Sequence, residues 1–180
     1  MAAEEAPAGS GYRYDSFCGG NMTHRITIDT IKERMKEFGT PEQVRVNRVR
    51  VITAPDKLHD AIRASQAILE CDRLITISTV DNGETFELLY HLIGPHRIII
   101  SLVIDLPRDH PVTPTISDLL SPAGIYERQI HDLFGIFFEG HPDLKKIILN
   151  EDWPKDEHPL RKEWKPGPDT FYGGIKVERM

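Results

Sequence analysis

The sequence predicts an α+β fold: an antiparallel or mixed sheet with two helices packed on it, then a third short helix and an extended, proline-rich C-terminal tail. Three observations predict this arrangement. Two segments with helical periodicity lie in the first part of the chain, and three strand-like runs then follow one another with short turns. Most of the thirteen prolines lie after Leu106, where they leave room for one short helix. Strands joined by short turns pair antiparallel, which favours a meander over a parallel sheet.

The first helix follows residues 1–22, which are rich in Ala, Gly and Ser and are predicted to be a flexible arm. Thr30 and Glu33 have the spacing of a capping box, and Gly39 is predicted to end the helix. Four apolar residues repeat at helical spacing: Ile28, Ile31, Met35 and Phe38.

A strand region and the second helix come next. In "VRVNRVRVI" the valines switch phase, so a bulge or tight turn is predicted at Asn47-Arg48, because a shift of one residue exchanges the faces of a strand. The second helix is predicted from Pro55 to Glu70, with proline in its first turn. Its apolar stripe consists of Leu58, Ala61, Ile62, Ile68 and Leu69.

Three strands are predicted at residues 74–80, 84–93 and 97–106. Asn82-Gly83 is predicted to be the two-residue turn of a hairpin between the first two strands. The third strand is apolar on both faces, so we expect both of its faces to be covered.

The third helix is predicted to start at Ser121 as N-cap, with Pro122 in the first position, and to end at Gly135. Short extended pieces and turns are predicted from there to the end of the chain. In "GHPDL", residues 140–144, each residue type suits a turn, which favours a structural role over catalysis.

One face of the third helix carries four polar residues, Glu127, Arg128, His131 and Asp132. The spacing makes Glu127–His131 and Arg128–Asp132 candidate ion pairs, four residues apart. Two interpretations stay open: a solvated face with two weak ion pairs, or a charged face that packs against another protein of a complex.

Several classes of function are excluded or disfavoured by the residues alone. The net charge of −6 and the lack of a long basic run argue against nucleic-acid binding. The chain has no glycine-rich nucleotide loop, no GxSxG nucleophile elbow and no metal-ligand spacing, so we expect no catalytic, cofactor-binding or metal-binding residues. Its longest apolar run, residues 98–106, is too short to span a bilayer. A stand-alone metal-binding or ligand-binding enzyme that uses His131, His141 and Asp143 stays open as the alternative.

The tail, residues 150–180, combines prolines with both tryptophans of the chain, Trp153 and Trp164. Disordered tails are normally poor in aromatic residues, so a surface that orders this tail is expected. The surface belongs either to the tail's own domain or to a partner, and the length of the tail favours a partner.

The run "ERQIHDLFGIFFEGHPDLKKIIL" closely resembles the signature of the 30-kilodalton subunit family of respiratory complex I, which also occurs in membrane-bound nickel-iron hydrogenases and their relatives. The resemblance extends through "PVTPTISDLLSPAGIYER" upstream and "EDWPKDEHPLRKEW" downstream, over roughly residues 24–165. Gln129, where the family usually has Glu, and a longer segment before "PLRK" are departures that leave the branch of the family open.

The resemblance implies a hydrophilic, non-catalytic docking subunit without a cofactor, in an oxidoreductase that couples electron transfer to ion translocation. It implies three partners: a hydrogenase-like large subunit, an iron–sulfur small subunit and a ferredoxin-like iron–sulfur subunit. Iron–sulfur clusters, and in some branches nickel-iron, belong to those partners. The implied location is peripheral, at the cytoplasmic side of the cell membrane, with membrane contact only through the complex.

The resulting domain plan has three parts: a flexible arm at 1–22, an α+β domain at 23–149, and an extended partner-binding tail at 150–180. The expected acceptor is quinone, protons or a sulfur compound. The interface with the partners is expected to include Glu127, Arg128, Asp132, His141, Asp143, Trp153, Arg161, Lys162 and Trp164.

Overall fold

The computed structural model describes residues 26–69 and 73–166. The predicted flexible arm at 1–22 and the tail beyond residue 166 therefore lie outside the described residues. In chain order the elements are α1 (Ile28–Met35), β1 (Gly39–Arg45), β2 (Arg48–Thr53), a 3-10 turn (Pro55–Lys57), α2 (Leu58–Leu69), β3 (Arg73–Asp81), β4 (Thr85–Ile93), β5 (Ile99–Pro107), β6 (Val112–Pro114), α3 (Ala123–Phe134) and β7 (Phe137–Glu139).

Five strands form one mixed sheet in the order β1-β2-β5-β4-β3. The strands β3, β4 and β5 form the predicted antiparallel meander, and β1 pairs antiparallel with β2. The pair β2–β5 is parallel, with Val49 opposite Ile100. The chain leaves β2, passes through α2, β3 and β4, and then returns as β5 beside β2. A second, two-stranded parallel sheet joins β6 and β7. The prediction of an α+β fold with a mixed sheet is confirmed.

The core lies between the large sheet and the helices α1 and α2, which contact β2 and β5 respectively. The stripe of α2 is buried as predicted at Leu58, Ala61, Ile62 and Ile68. On β5, Leu102 faces the core opposite Tyr90, while Val103 and Ser101 alternate with it and are also buried. Both faces of the predicted apolar strand are therefore covered.

The start of α1 differs from the prediction. Thr27 is the N-cap, and its Oγ1 accepts the backbone N–H of Thr30 at 3.3 Å, so Thr30 and Glu33 do not form a capping box. The helix ends at Met35, and Gly39 opens β1 instead of terminating the helix. A Cβ on Gly39 would lie 2.0 Å from the Ile52 carbonyl oxygen, so the close approach of β1 and β2 requires glycine there.

Both predicted turns exist but are displaced by one residue. Arg45 pairs with Arg48, so the β1–β2 turn consists of residues 46–47 and not of Asn47-Arg48. Asn82 donates its backbone N–H to the Thr85 carbonyl at 2.9 Å, which makes residues 83–84 the turn between β3 and β4. Gly83 has φ +94°, the positive φ that two-residue hairpin turns favour and that glycine adopts readily.

Helix α3 begins two residues after the predicted cap. Pro122 occupies the N-cap position without a capping side chain, and Ser121 precedes it. The predicted end is correct: Gly135 has φ +72°, and its N–H donates to the His131 carbonyl at 2.9 Å. The site described below is built around this helix.

Candidate docking face at helix α3 and the C-terminal segment

Glu127 lies inside the protein and not on a solvated face. Its carboxylate is fully buried and accepts hydrogen bonds from the Thr115 hydroxyl at 2.5 Å and the Ile116 backbone N–H at 2.7 Å. Burial raises the pKa of Glu127, while these hydrogen bonds and the nearby His141 oppose the rise. The predicted Glu127–His131 ion pair does not form, because His131 Nδ1–H donates to the Ile136 carbonyl at 2.9 Å.

Arg128 and Asp132 do not pair with each other; both bind the C-terminal segment, which we define as residues 145–166. One oxygen of the Asp132 carboxylate accepts the backbone N–H groups of residues 147, 148 and 149 at 2.7, 2.8 and 3.3 Å. Arg128 donates to the carbonyls of Lys145 and Lys146 at 2.9 and 3.0 Å. The polar face of α3 therefore holds the chain's own segment, which neither sequence interpretation included.

The end of α3 provides a second attachment for this segment. A helix leaves its last carbonyl groups without partners in the helix. Here His158 Nδ1–H donates to the Asp132 carbonyl at 2.9 Å, the Leu160 N–H to the Leu133 carbonyl at 3.1 Å, and Arg161 Nε–H to the Phe134 carbonyl at 2.7 Å. Three successive carbonyls of the helix are thereby satisfied by residues of the C-terminal segment.

Gly135 permits this close packing. A Cβ on Gly135 would lie 2.3 Å from Nε2 of His158 and 2.7 Å from a guanidinium nitrogen of Arg161. The positive φ of Gly135 and the lack of a side chain are both needed, the first for the end of the helix and the second for the segment that crosses it.

A third attachment lies at the end of β3, where Asp81 binds both Arg108 and the C-terminal segment. Its carboxylate accepts from Arg108 at 2.6 Å, from the backbone N–H of Gly83 at 2.8 Å and from the backbone N–H of Lys162 at 2.9 Å. The Arg108 guanidinium, more than the two backbone N–H groups, holds the pKa of Asp81 well below its usual range. Arg108 also pairs with Glu163 of the segment.

The aromatic ring of Phe86 lies beside Arg108 of this attachment and Arg161 of the second. The guanidinium carbons of Arg108 and Arg161 lie 5.0 and 5.3 Å from the centre of the ring, within the range of a cation–π interaction. Phe134 meets the same ring edge to face at 6.1 Å. The sheet, helix α3 and the C-terminal segment thus meet at the ring of Phe86, through Phe134 and Arg161.

The two tryptophans, Trp153 and Trp164, contact each other with ring centres 5.8 Å apart. Both indole N–H groups donate to Glu157: Trp153 to its backbone carbonyl at 2.9 Å and Trp164 to its carboxylate at 3.1 Å. Both side chains are only partly buried. The two tryptophans and Glu157 thus contact one another within the segment, while residues 158–162 attach it to its own domain, the alternative to the favoured partner surface. That the segment also contacts a partner stays a prediction.

His141 and Asp143, in the turn at residues 140–144, are held by local hydrogen bonds. His141 Nδ1 accepts the Asp143 N–H at 3.0 Å, so its Nε2 carries the proton and donates to the Gly124 carbonyl at 3.1 Å. Asp143 is exposed and pairs with Lys145 at 2.9 Å, and this ion pair holds the pKa of Asp143 below its usual value. Both ring nitrogens of His141 are engaged with backbone, which leaves neither free to bind a metal. Across 26–69 and 73–166, no group of three or more His, Cys, Asp or Glu side chains is placed to hold one.

Large apolar side chains remain exposed on this part of the molecule. They lie on α3, on β7 and on the segment that α3 holds: Ile125, Phe137, Ile147, Ile148 and Leu160. Exposed apolar side chains gathered on neighbouring elements mark a surface suited to protein contact. No helix in the part of the chain that the structure describes is long and apolar enough to cross a membrane.

Sequence reasoning missed Asp81, Arg108 and Thr115 as residues that hold this face. Asp81 precedes Asn82-Gly83, and the triplet indicates a turn, a role that Asp81 does have through Gly83. The bonds to Arg108 and Lys162 join positions far apart in the sequence, and no local pattern shows them. Arg161 and Lys162 were expected at the partner interface; within the chain, Arg161 binds the Phe134 carbonyl and Lys162 binds Asp81 through its backbone N–H.

Comparison with known proteins gives a consistent result. A family model described as the respiratory-chain NADH dehydrogenase, 30 Kd subunit, matches residues 51–170. The C subunit of the F(420)H(2) dehydrogenase of Methanosarcina mazei is 32% identical over 155 residues, 82% of this chain and 96% of that protein. The C subunit of the NADH-quinone oxidoreductase of Novosphingobium aromaticivorans is 29% identical over 76% of this chain and 45% of that protein. The chain thus spans nearly all of the first relative and less than half of the second.

Two solved structures resemble the fold. One is a chain of the membrane-bound sulfane sulfur reductase, described as an archaeal respiratory membrane complex, with a TM-score of 0.67 and 25% identity over 76% of this chain and 84% of that chain. The other is a trypsin-resistant fragment of Nqo5, with a TM-score of 0.56 and 25% identity over 64% of this chain and 97% of that chain.

Proposed function

Because the chain belongs to the 30 Kd subunit family of respiratory-chain NADH dehydrogenases, we propose that it is a cofactor-free docking subunit of a membrane-bound, complex I-related oxidoreductase. Relatives of the chain bear the names of oxidoreductase subunits. In the proposal the chain does no chemistry itself; it joins a hydrogenase-like large subunit and two iron–sulfur subunits that carry the electrons. The complex couples electron transfer to ion translocation, and the chain lies peripherally at the cytoplasmic side of the membrane.

One observation carries the proposal. The polar side chains that resemble the family signature are used to fix residues 145–149, and this leaves Ile147 and Ile148 exposed by 40% and 54%. A stand-alone enzyme would be expected to leave such polar groups free to meet a substrate, whereas Arg128 and Asp132 are both bound to the backbone of residues 145–149. Here the cluster supports an apolar surface, which fits a protein contact.

The residues expected at the interface take two roles in this proposal. Glu127, Asp132 and His141 have buried side chains and support the face from inside. The others reach the surface wholly or in part and are proposed to contact the partner: Arg128, Asp143, Trp153, Arg161, Lys162 and Trp164.

The test is co-purification of the full-length, tagged chain from native membranes, with mass identification of the bound chains. The variant replaces Ile147 and Ile148 by Gln, which removes apolar area without placing a charge beside Asp132. The matched control replaces Val44 and Val46 by Gln, since these are 53% and 90% exposed around the β1–β2 turn. We expect the first pair to reduce the recovered complex about tenfold, the size of a moderate interface hot spot, and the control to leave it unchanged.

Two results would contradict the proposal. If the wild-type chain recovers no other protein of such a complex, docking as a function is rejected. If both variant pairs assemble like the wild type, the face at α3 is not the contact. Metal analysis of the purified chain checks the cofactor-free part: a stoichiometric metal that is lost on His141→Ala would favour the metal-binding enzyme instead.

A further inference from the structure

The backbone around Asp132 has the geometry of an anion-binding site. Three consecutive N–H groups, of Ile147, Ile148 and Leu149, point at one carboxylate oxygen, Oδ2 of Asp132. Successive backbone N–H groups that converge in this way form a concave site with partial positive charge, which binds anions. The Asp132 side chain, 3% exposed, occupies this site from within the same protein.

The segment has little else to give it this shape. Residues 147–149 belong to neither a helix nor a strand, so the backbone has no ladder of hydrogen bonds to define it. Arg128 fixes the two preceding carbonyls, and Lys146 reaches the Trp153 carbonyl at 2.5 Å after the segment has turned. Between these two points the carboxylate of Asp132 is the charged group to which the backbone binds. Hydrogen bonds from N–H groups to a charged acceptor are the stronger kind.

We propose that Asp132 is a positioning residue: its carboxylate fills an anion-binding backbone site at 147–149 and so holds Ile147 and Ile148 outward. The site takes a carboxylate as ligand, and a free carboxylate of the same size replaces the side chain when it is removed. The consequence for docking rests on the proposed function; the site itself does not.

Chemical rescue tests the site in the full-length chain. Asp132→Ala keeps the Cβ and removes a group the size of formate. We expect the Tm to fall by about 6–12 °C, because three N–H groups lose their acceptor. Sodium formate then raises the Tm of this variant by about 2 °C or more over sodium chloride at equal ionic strength, since formate binds the folded state. Wild type and Asp143→Ala, which removes an exposed carboxylate, show no difference between the two salts.

A second measurement covers the case in which Asp132→Ala does not fold. In the wild type, the Ile147 and Ile148 amides should exchange with solvent more slowly than the amide of Asn150, which follows the site. Asp132→Asn should fold, since its amide oxygen can still accept, and it should accelerate exchange at those two amides. Fast exchange of the Ile147 and Ile148 amides in the wild type would show that the backbone site does not exist. An equal Tm of Asp132→Ala in formate and in chloride would show the same.

The docking consequence has its own readout. With formate absent, Asp132→Ala should lower recovery of the complex, and formate should restore part of it. If the wild type assembles and Asp132→Ala assembles equally well while its Tm still responds to formate, the site stands but its role in positioning the two isoleucines is wrong. If the wild type does not assemble at all, the proposed function fails and the site is judged from the Tm alone.

Discussion

Among the described glycines with positive φ, Gly135 is the one whose replacement by Ala should destabilise the protein most. These glycines are Gly83, Gly135 and Gly140, and only at Gly135 would the new Cβ approach another atom closer than 3 Å. The methyl group would lie 2.3 Å from Nε2 of His158 and 2.7 Å from Arg161, which must both move away.

The expected cost has two parts. A non-glycine residue in the left-handed region costs about 1–2 kcal/mol. Displacing His158 and Arg161 weakens their hydrogen bonds to the last carbonyls of α3, worth about 1 kcal/mol for the neutral donor and about 1.5 kcal/mol or more for the guanidinium. The free energy of unfolding should therefore fall by about 3–5 kcal/mol.

Gly83→Ala is the matched control, because Gly83 has φ +94° and nothing lies within 4 Å of its added Cβ. It should lose only the backbone part, about 1–2 kcal/mol. Urea denaturation of both full-length variants measures the difference, provided that the slopes agree with that of the wild type. If the two variants lose the same free energy, the hydrogen bonds of His158 and Arg161 to the end of α3 do not stabilise the C-terminal segment as argued.

Two further predictions concern buried carboxylates. Glu127→Ala should cost about 2–4 kcal/mol, because it leaves the Thr115 hydroxyl and the Ile116 N–H without an acceptor, and Glu127→Gln should cost less. Since the pKa of Glu127 is raised in the folded state, its ionisation removes stability as pH rises above about 4.3, and urea titrations at several pH values should show that Glu127→Gln lacks this loss. Asp81 has the opposite sign: its pKa is lowered, so its contribution is present above pH ~3.9 and is lost as pH falls below that. Asp81→Asn should be less stable than wild type at neutral pH and should approach it in acid; parallel pH profiles would contradict the Arg108 contact.

Periodicity predicted the fold well because burial follows it directly. The α2 stripe and the meander depend on which side chains enter the core. Apolar residues such as Leu58 and Leu102 are buried only when the helix or strand turns that face towards the core. Turn positions were displaced by one residue because a dipeptide such as Asn82-Gly83 fits more than one position of a tight turn. The parallel pairing of β2 with β5 joins residues far apart in the chain, and only the assembled sheet decides it.

The site was predicted less completely than the fold. Spacing along α3 placed Glu127, Arg128, His131 and Asp132 on one polar face, but the pairs it predicted, Glu127–His131 and Arg128–Asp132, do not form. A helical wheel shows which side chains share a face and does not show what covers that face. The partners of Glu127 come from the loop before the helix and those of Asp132 from the segment after it, and both sets of contacts lie beyond the reach of helical spacing.

Attachment of the C-terminal segment to its own domain changes how the proposed docking should work. A tail that folds only on a partner loses conformational entropy at the moment of binding, and this loss weakens the affinity. Here Asp81, Asp132 and the end of α3 order the segment beforehand, so most of that cost falls on folding and not on association. A substitution at an anchor such as Asp81, whose carboxylate is buried, should then weaken the proposed docking chiefly by lowering the fraction of molecules with an ordered segment. Its effect on affinity should follow its effect on local stability, whereas changing Ile148 should affect affinity alone.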